Sequence, residues 1–318
     1  MQNFLDFEKP LLEIQTKIEE LRHLKDDSIN IANELASLQD DFDRKLKDIY
    51  TNLSPWQKVK ICRHQDRPKF QDFIENIFDD FISLSGDRLF SDDFSLKGGI
   101  ASVNEYPCLV LGNDKGKDID SRVKNNFGMA KPEGYRKAIR LMNLAEKFNL
   151  PVICFIDTPG AFPGVDAEDR GQSEAIANSI QISLELQTPM QSFIVGEGGS
   201  GGAIALATAN EVIMLEHAIY SVISPEGCAT ILWKDVDFSD KAAESLCLTA
   251  QDLKKLGVID EIILEPLGGA HRNIQEVCKS IKVKVIRFLD SFKTRSSKDV
   301  VMHRKEKFLK IGREFIEN

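Results

Sequence analysis

Apolar positions recur at helical spacing through the first part of the chain and then change to short runs separated by helical stretches. Leu11, Ile14, Ile18 and Leu21 alternate spacings of three and four among Glu, Lys, Arg and Gln, which predicts a helix with one narrow apolar seam. A turn is expected at Asp26-Asp27-Ser28, after which Ile31, Leu35, Leu38, Phe42, Leu46 and Ile49 define a second helix, so that the two form a hairpin arm. Such an arm either braces its own domain or embraces a partner, and the seam alone does not choose between them. Ser54-Pro55-Trp56 places a favourable N-cap before a proline at the first helical position and opens another helix. The Phe- and Ile-rich stretch 70–84 reads as a further helix.

From Lys97-Gly98-Gly99 onward the period shortens. Apolar runs at 100–103, 108–111, 151–156, 191–195 and 212–223 predict strands, and helical patterns at 134–148, 171–186 and 201–209 lie between them. Strand followed by helix, repeated, predicts an α/β protein with parallel pairing. The runs are apolar at successive positions, as strands covered on both faces require. No internal repeat of roughly 20 to 50 residues points to a solenoid of uniform units.

Composition narrows the class. The 318 residues are 42% hydrophobic and 29% charged, enough for one large core or two modest ones in a globular protein. No apolar run approaches the roughly 20 residues of a membrane helix, and the first residues lack the pattern of a signal peptide, so a cytoplasmic protein without membrane contact is expected. A formal charge of -9 disfavours general nucleic-acid binding. The six cysteines form no Cys-x-x-Cys, so no metal site and no disulfide framework is expected. The C-terminal stretch is basic against this acidic whole, with Lys282, Lys284, Arg287, Lys293, Arg295, Lys298, Arg304, Lys305, Lys307, Lys310 and Arg313. A solvated helix face accounts for most of that, with a docking surface for an acidic ligand as the other reading.

Candidate chemistry lies in two loops. Asp157-Thr-Pro-Gly-Ala-Phe-Pro-Gly164 follows a strand, where open α/β sheets bind ligands, but no Gly-x-x-x-x-Gly-Lys-[Ser/Thr] accompanies it to hold phosphates. Gly196-Glu-Gly-Gly-Ser-Gly-Gly-Ala203 contains Gly-x-Gly-x-x-Gly, yet it comes late in the chain and before a short helix, against a dinucleotide site. Its glycines instead let main-chain N–H groups at a helix start approach an anion, the makings of an oxyanion hole. Close packing of helix on strand is the competing explanation. Gly198-Gly-Ser-Gly-Gly202 also meets Gly-x-Ser-x-Gly, and His217 or His271 keeps a hydrolase triad open by residue count.

Seven segments, in order, resemble one family. They are Asn126-Phe-Gly-Met129, Pro132-Glu-Gly-Tyr-Arg-Lys-Ala138, Phe155-Ile-Asp-Thr-Pro-Gly-Ala161, Arg170-Gly-Gln-Ser-Glu-Ala-Ile-Ala177, Gly196 to Ala203, Tyr220-Ser-Val-Ile-Ser-Pro-Glu-Gly-Cys-Ala229 and Glu265-Pro-Leu-Gly-Gly-Ala-His-Arg-Asn273. Together they resemble the biotin-dependent carboxyltransferases, and within them the α-subunit family of multisubunit acetyl-CoA carboxylase. The resemblance implies a crotonase-like (ClpP/crotonase) superhelix of ββα units with an N-terminal helical arm. It divides the chain into an arm (1–31), a carboxyltransferase domain of the C-terminal type that opens with a second helix (32–293) and a basic helical tail (294–318).

The resemblance further implies an α2β2 assembly with a zinc-ribbon β subunit that supplies most of the CoA half-site. A biotin carboxyl carrier protein would bring covalently attached biotin, and a biotin carboxylase would consume the ATP. The carboxyl group would pass from carboxybiotin to acetyl-CoA, giving malonyl-CoA for fatty-acid synthesis. By the motif, Gly201 and Gly202 donate N–H groups to the ureido oxygen of biotin as it becomes enolate-like, with Gly160, Ala161, Gly198, Gly199 and Ala203 around it. The released enolate could take the substrate proton, which fits the lack of a side-chain base. Two stretches depart from the family pattern: Asn113-Asp-Lys-Gly-Lys117, which lacks the usual His and Arg, and Ala130-Lys131, in place of Pro-Ala. Their basic residues keep a general attraction for phosphate or carboxylate. Two other classes stay open: a stand-alone crotonase-like hydratase or decarboxylase, and a non-enzymatic assembly or RNA-binding scaffold built on the tail and arm.

Overall fold

The structure is a computed structural model that describes residues 3–23 and 29–313. The turn expected at residues 26–28 lies outside the described residues. The chain begins with α1 (Lys9–His23) and α2 (Ile29–Thr51), which pack as a hairpin, Leu11, Ile14 and Ile18 against Phe42, Leu46 and Tyr50. Leu21 and the second-helix seam residues Leu35, Leu38 and Ile49 are half-buried. The arm lies on its own domain, where Ile61 joins its core. A buried carboxylate fastens it: Glu8 accepts from the Tyr50 hydroxyl at 2.9 Å and from Arg272 at 3.1 Å. The boundary expected after residue 31 falls inside α2.

The helix α3 (Pro55–Cys62) starts as expected, with Ser54 Oγ accepting the Gln57 N–H and the Gln57 side chain accepting the Ser54 N–H. The next stretch departs from expectation. Its helix, α4 (Phe70–Ile77), stops seven residues early, and β1 (Asp79–Ser83) follows as an edge strand. Phe78 is already extended, and the segment gains antiparallel hydrogen bonds to the next strand, a tertiary partner that a short apolar run cannot reveal.

The hairpin β2 (Leu96–Val103) and β3 (Tyr106–Asn113) turns at Asn104 and Glu105, both at positive φ, as a tight antiparallel turn requires. Then α5 (Ile119–Lys124) and α6 (Pro132–Lys147) lead to β4 (Val152–Thr158). Next come α7 (Val165–Asp169), α8 (Gln172–Glu185), β5 (Met190–Gly199), α9 (Ser200–Ala207), β6 (Glu211–Leu215) and β7 (Ile219–Ser221). The remainder is α10 (Pro225–Trp233), α11 (Ser239–Ser245), α12 (Ala250–Lys255), β8 (Glu261–Ile263), α13 (Ile274–Phe292) and α14 (Ser297–Lys310). His217, expected within a strand, sits in the turn between β6 and β7.

Among the described residues the sheet runs β1-β2-β3-β4-β5-β6-β8, with β7 added to the far end of β5. From β3 onward the pairing is parallel, so the carboxyl ends of β3, β4 and β5 emerge together. All seven residues of β4 are buried. Phe155 is stacked between Phe73 at 5.0 Å and Phe193 at 5.6 Å, with Phe70 and Phe78 edge-on, which locks the central strands to α4.

Part of the basic C-terminal stretch is structural rather than solvated. Arg304 is fully buried and donates to Leu186 O, Thr188 O and Asn210 Oδ1, while Lys307 pairs with Asp260. On α13, Lys284 and Arg287 are engaged by Glu261 and Glu211.

A second buried cation ties the strand ends to the loop after β8. Arg67 donates to Val195 O at 2.7 Å and makes a two-pronged pair with Glu265 at 2.6 and 3.0 Å. Burial raises the Glu265 pKa, but Arg67 outweighs it and holds the carboxyl down at about 2, against an ordinary 4.5. Replacing Arg67 by Met leaves that carboxylate buried and unpaired, and a loss of about 3–5 kcal/mol is expected in urea unfolding at neutral pH. Because the folded pKa is lowered, the stabilisation is complete above about pH 4.5 and drains away as the pH falls toward about 2. R67M should lack that acid-dependent loss when unfolding is followed across the same window.

Candidate active site

The loops expected to carry chemistry meet at the carboxyl ends of β4 and β5, where ligands bind in sheets of this kind. At the end of β5 the chain turns sharply into α9. Ser200, the first residue of that helix, is held at φ 49, a conformation that strains a non-glycine residue. Gly199 caps the helix without a side-chain hydrogen bond. The N–H groups of the first turn therefore lack intrahelical acceptors, and the helix dipole makes this end positive.

At the end of β4, Thr158 Oγ1 accepts the Gly160 N–H at 3.1 Å and donates to the Gly160 carbonyl at 2.7 Å. Gly160 stands at φ +148, which only glycine adopts with ease. The twist turns the backbone so that the Ala161 N–H is engaged by no acceptor among the described residues, while the next N–H, of Phe162, goes to Ala130 O.

These two backbones touch. A Cβ on Gly199 would lie 2.1 Å from Pro159 O, and one on Gly202 would lie 2.7 Å from Gly160 C and 2.8 Å from Ala161 N. Gly160, Ala161, Gly199 and Gly202 are thus brought together, and close packing accounts for Gly199 and Gly202 directly. Gly201 differs: a Cβ there would meet Ile176 at an ordinary 3.5 Å. Gly198 packs on the other side, against the Tyr220 ring, and the Ala203 side chain is buried in the main core.

Gly201 opens instead on a cavity of about 380 Å³, walled mainly by Ile204, Tyr220, Val222, Leu253 and Val258, with the Ser200 and Ser221 hydroxyls. Burial pushes the Tyr220 phenol up to about 12, so it is a neutral donor at neutral pH. Neither histidine weighed as a triad partner lines this cavity. His217 packs on the Tyr50 ring and burial lowers its pKa, whereas His271 is stacked on His64 at 3.9 Å, with burial pulling it down to about 3.

An ion network built on two buried carboxylates lies beside the contact, and the sequence reading missed it. Asp157 Oδ1 accepts from the Glu197 N–H at 3.0 Å and from Lys115 Nζ at 2.8 Å. Lys115 also reaches Glu197 Oε2 at 2.5 Å, and Arg63 Nε reaches Glu197 Oε1 at 2.6 Å. Burial would raise both acids, yet Lys115 holds Asp157 below the ordinary carboxylate range, and Lys115 with Arg63 does the same for Glu197. Carboxylates this firmly ionised are poor general acids or bases near neutral pH, so Glu197 does not provide the base that a hydratase needs. The signal for the network was faint: Lys115 sits in the atypical 113–117 stretch, 42 positions before Asp157. Tyr135 was also missed; its buried hydroxyl has no partner among the described residues and lies 3.0 Å from where a Gly202 Cβ would be. Among the described residues no group of three or more His, Cys, Asp or Glu side chains could hold a metal ion.

A family described as acetyl co-enzyme A carboxylase carboxyltransferase-like matches residues 4–312. The acetyl-coenzyme A carboxylase carboxyl transferase subunit alpha of Rhodospirillum centenum is 52% identical over 311 residues, covering 98% of both chains. The protein of the same name from Zymomonas mobilis is 50% identical over 312 residues, covering 98% of this chain and 100% of its own. Among solved structures, transcarboxylase 12S with methylmalonyl-coenzyme A and methylmalonic acid bound superposes with a TM-score of 0.59 at 18% identity, over 77% of this chain and 46% of that one. That likeness is one of fold, the crotonase-like α/β fold. The near-complete match to the α subunits shows more: the chain belongs to the family of acetyl-coenzyme A carboxylase carboxyltransferase α subunits.

Proposed function

We propose that this chain forms the biotin half of a carboxyltransferase active site, where the carboxyl group of carboxybiotin passes to acetyl-CoA to give malonyl-CoA. The observation that carries this is the contact of the Gly202 backbone with residues 160–161, next to Gly201, which lines an apolar cavity. It sets the free Ala161 N–H beside the unsatisfied first turn of α9, which includes Gly201 and Gly202. Two donors of this kind, fixed before the reaction, stabilise an oxygen that gains negative charge without any reorganisation.

The chain fits biotin in two respects. The cavity offers an apolar wall of suitable size, and the helix start offers N–H groups to a polar edge. Gly201, Gly202 and Ala161 would hold it, with Gly160 and Gly199 at the contact between the two backbones and Gly198 and Ala203 packed around it. Biotin supplies the carboxyl group when bound. The chain's own part is to orient, to exclude water and to stabilise charge, since the polar cavity groups are hydroxyls rather than bases.

Half a site needs a second half. A zinc-ribbon β subunit in an α2β2 assembly, a biotin carboxyl carrier protein and an ATP-consuming biotin carboxylase complete this reading, in the cytoplasm. No described helix is long and apolar enough to cross a membrane. The division into arm (1–31), carboxyltransferase domain (32–293) and basic tail (294–318) belongs to the same proposal.

Two experiments test it. The purified chain should show no transfer of carboxyl from malonyl-CoA to a free biotin derivative, and adding the β subunit should restore it; full activity of the chain alone sinks the half-site assignment. In the restored complex, Gly202→Val should lower kcat by about 10²- to 10³-fold with little change in the KM for malonyl-CoA, the cost of losing one oxyanion donor. Gly201→Ala, whose added methyl meets only an ordinary contact, should cost less than about tenfold. Equal losses from the two variants would show that crowding at Gly202 is not what positions the donors.

A further inference from the structure

A second cavity, of about 190 Å³, opens beside the same loop and shares no lining residue with the first. Arg63, Lys69, Lys115 and Arg122 line it, together with the Glu197 carboxylate and Pro159. Two of these cations are already neutralised. Lys115 lies between Asp157 and Glu197, and Arg63 between Glu197 and Glu226.

The other two are not. Lys69 is 6% exposed, and the hydrogen bonds of its residue are all made by its backbone: its N–H donates to Asp72 Oδ2 at 2.8 Å, and its carbonyl accepts from the N–H groups of Asp72 at 2.9 Å and Phe73 at 3.4 Å. Its ammonium forms no hydrogen bond or close ion pair with any described residue. Burial pulls its pKa down, and Asp157, the carboxylate that opposes this, is already in contact with Lys115. Arg122 spends one N–H on a 3.3 Å bond to Gln65 O, which leaves most of its donors without an acceptor among the described residues.

A buried ammonium without a partner is costly, and an anion bound in the pocket would supply the missing charge. We propose that this pocket binds a phosphate group, held by Lys69 and Arg122 beside the loop that carries Gly160. Two unneutralised cations match a dianion better than a single carboxylate, and the guanidinium fork suits its oxygens. The volume takes a phosphate with little else, so any nucleoside attached to it stays outside the mouth. The inference stands on this pocket alone and does not depend on the carboxyl-transfer reading.

The shared chemistry has two sources, free phosphate and a phosphate monoester, and titration calorimetry of the full chain separates them. Inorganic phosphate and AMP are the probes, each at millimolar concentration. Phosphate binding at least as tight as AMP marks a free-ion site, and tighter AMP marks an ester site. In either case Lys69→Met and Arg122→Gln should each weaken binding about tenfold or more, as loss of a charge-assisted hydrogen bond implies. If Lys69→Met fails to fold, Arg122→Gln, a change at a partly exposed position, decides the matter alone. The proposal is overturned if neither probe binds, or if the folded variants bind as the parent does.

Discussion

Two stretches of backbone, residues 159–161 and 199–202, lie closer to one another than any side chain permits. Everything the site can do depends on that contact. It sets the start of α9 against the loop after β4, so that backbone from two different segments meets at one place. Parallel pairing of β4 with β5 delivers the two segments to the same end of the sheet, and the Phe155 stack holds those strands in place from below. A methyl group at the contact would have to push β5 or the loop aside, against a core packed on both faces.

Charge does the fastening around this contact. Asp157, Glu197, Lys115 and Arg63 form an ion network beside the glycines in which both acids are buried, and each acid is held ionised by its cation. Such a network is strong only while complete, which makes it a positioning device rather than a source of protons. Glu8 with Arg272 at the arm, Glu265 with Arg67 at the strand ends and Arg304 at the tail follow the same logic on a larger scale. Each joins segments distant in sequence. Lys69 breaks this pattern, as a buried cation for which no described residue supplies a close counter-charge.

Much of the architecture was legible in the chain because its cause is local. The seam of Leu11, Ile14 and Ile18, the Ser54-Pro55 helix start and the continuously apolar strands each follow from periodicity or capping chemistry within a few residues. The stretch 78–83 did not, because Phe78, Phe81 and Ile82 suit a helix or a strand and only pairing with β2 chooses. At the site, the glycine cluster was visible as a helix start open to an anion. Its two explanations, close packing and oxyanion donation, could not be separated from sequence, and the structure shows where the crowding falls: at Gly199 and Gly202, whereas Gly201 lines the cavity.

The sequence by itself determined the α/β alternation, the two loops at strand ends and, through seven ordered motifs, the family. Those properties depend on residue type and on spacing along the chain. Only the tertiary structure decided that Lys115 stands between Asp157 and Glu197, that Ala161 presents an unused N–H beside Gly202, and that Lys69 faces a pocket without a close counter-charge. The physical reason is distance: these groups come from different strand ends and loops, and nothing in local periodicity encodes which of them the sheet will bring together.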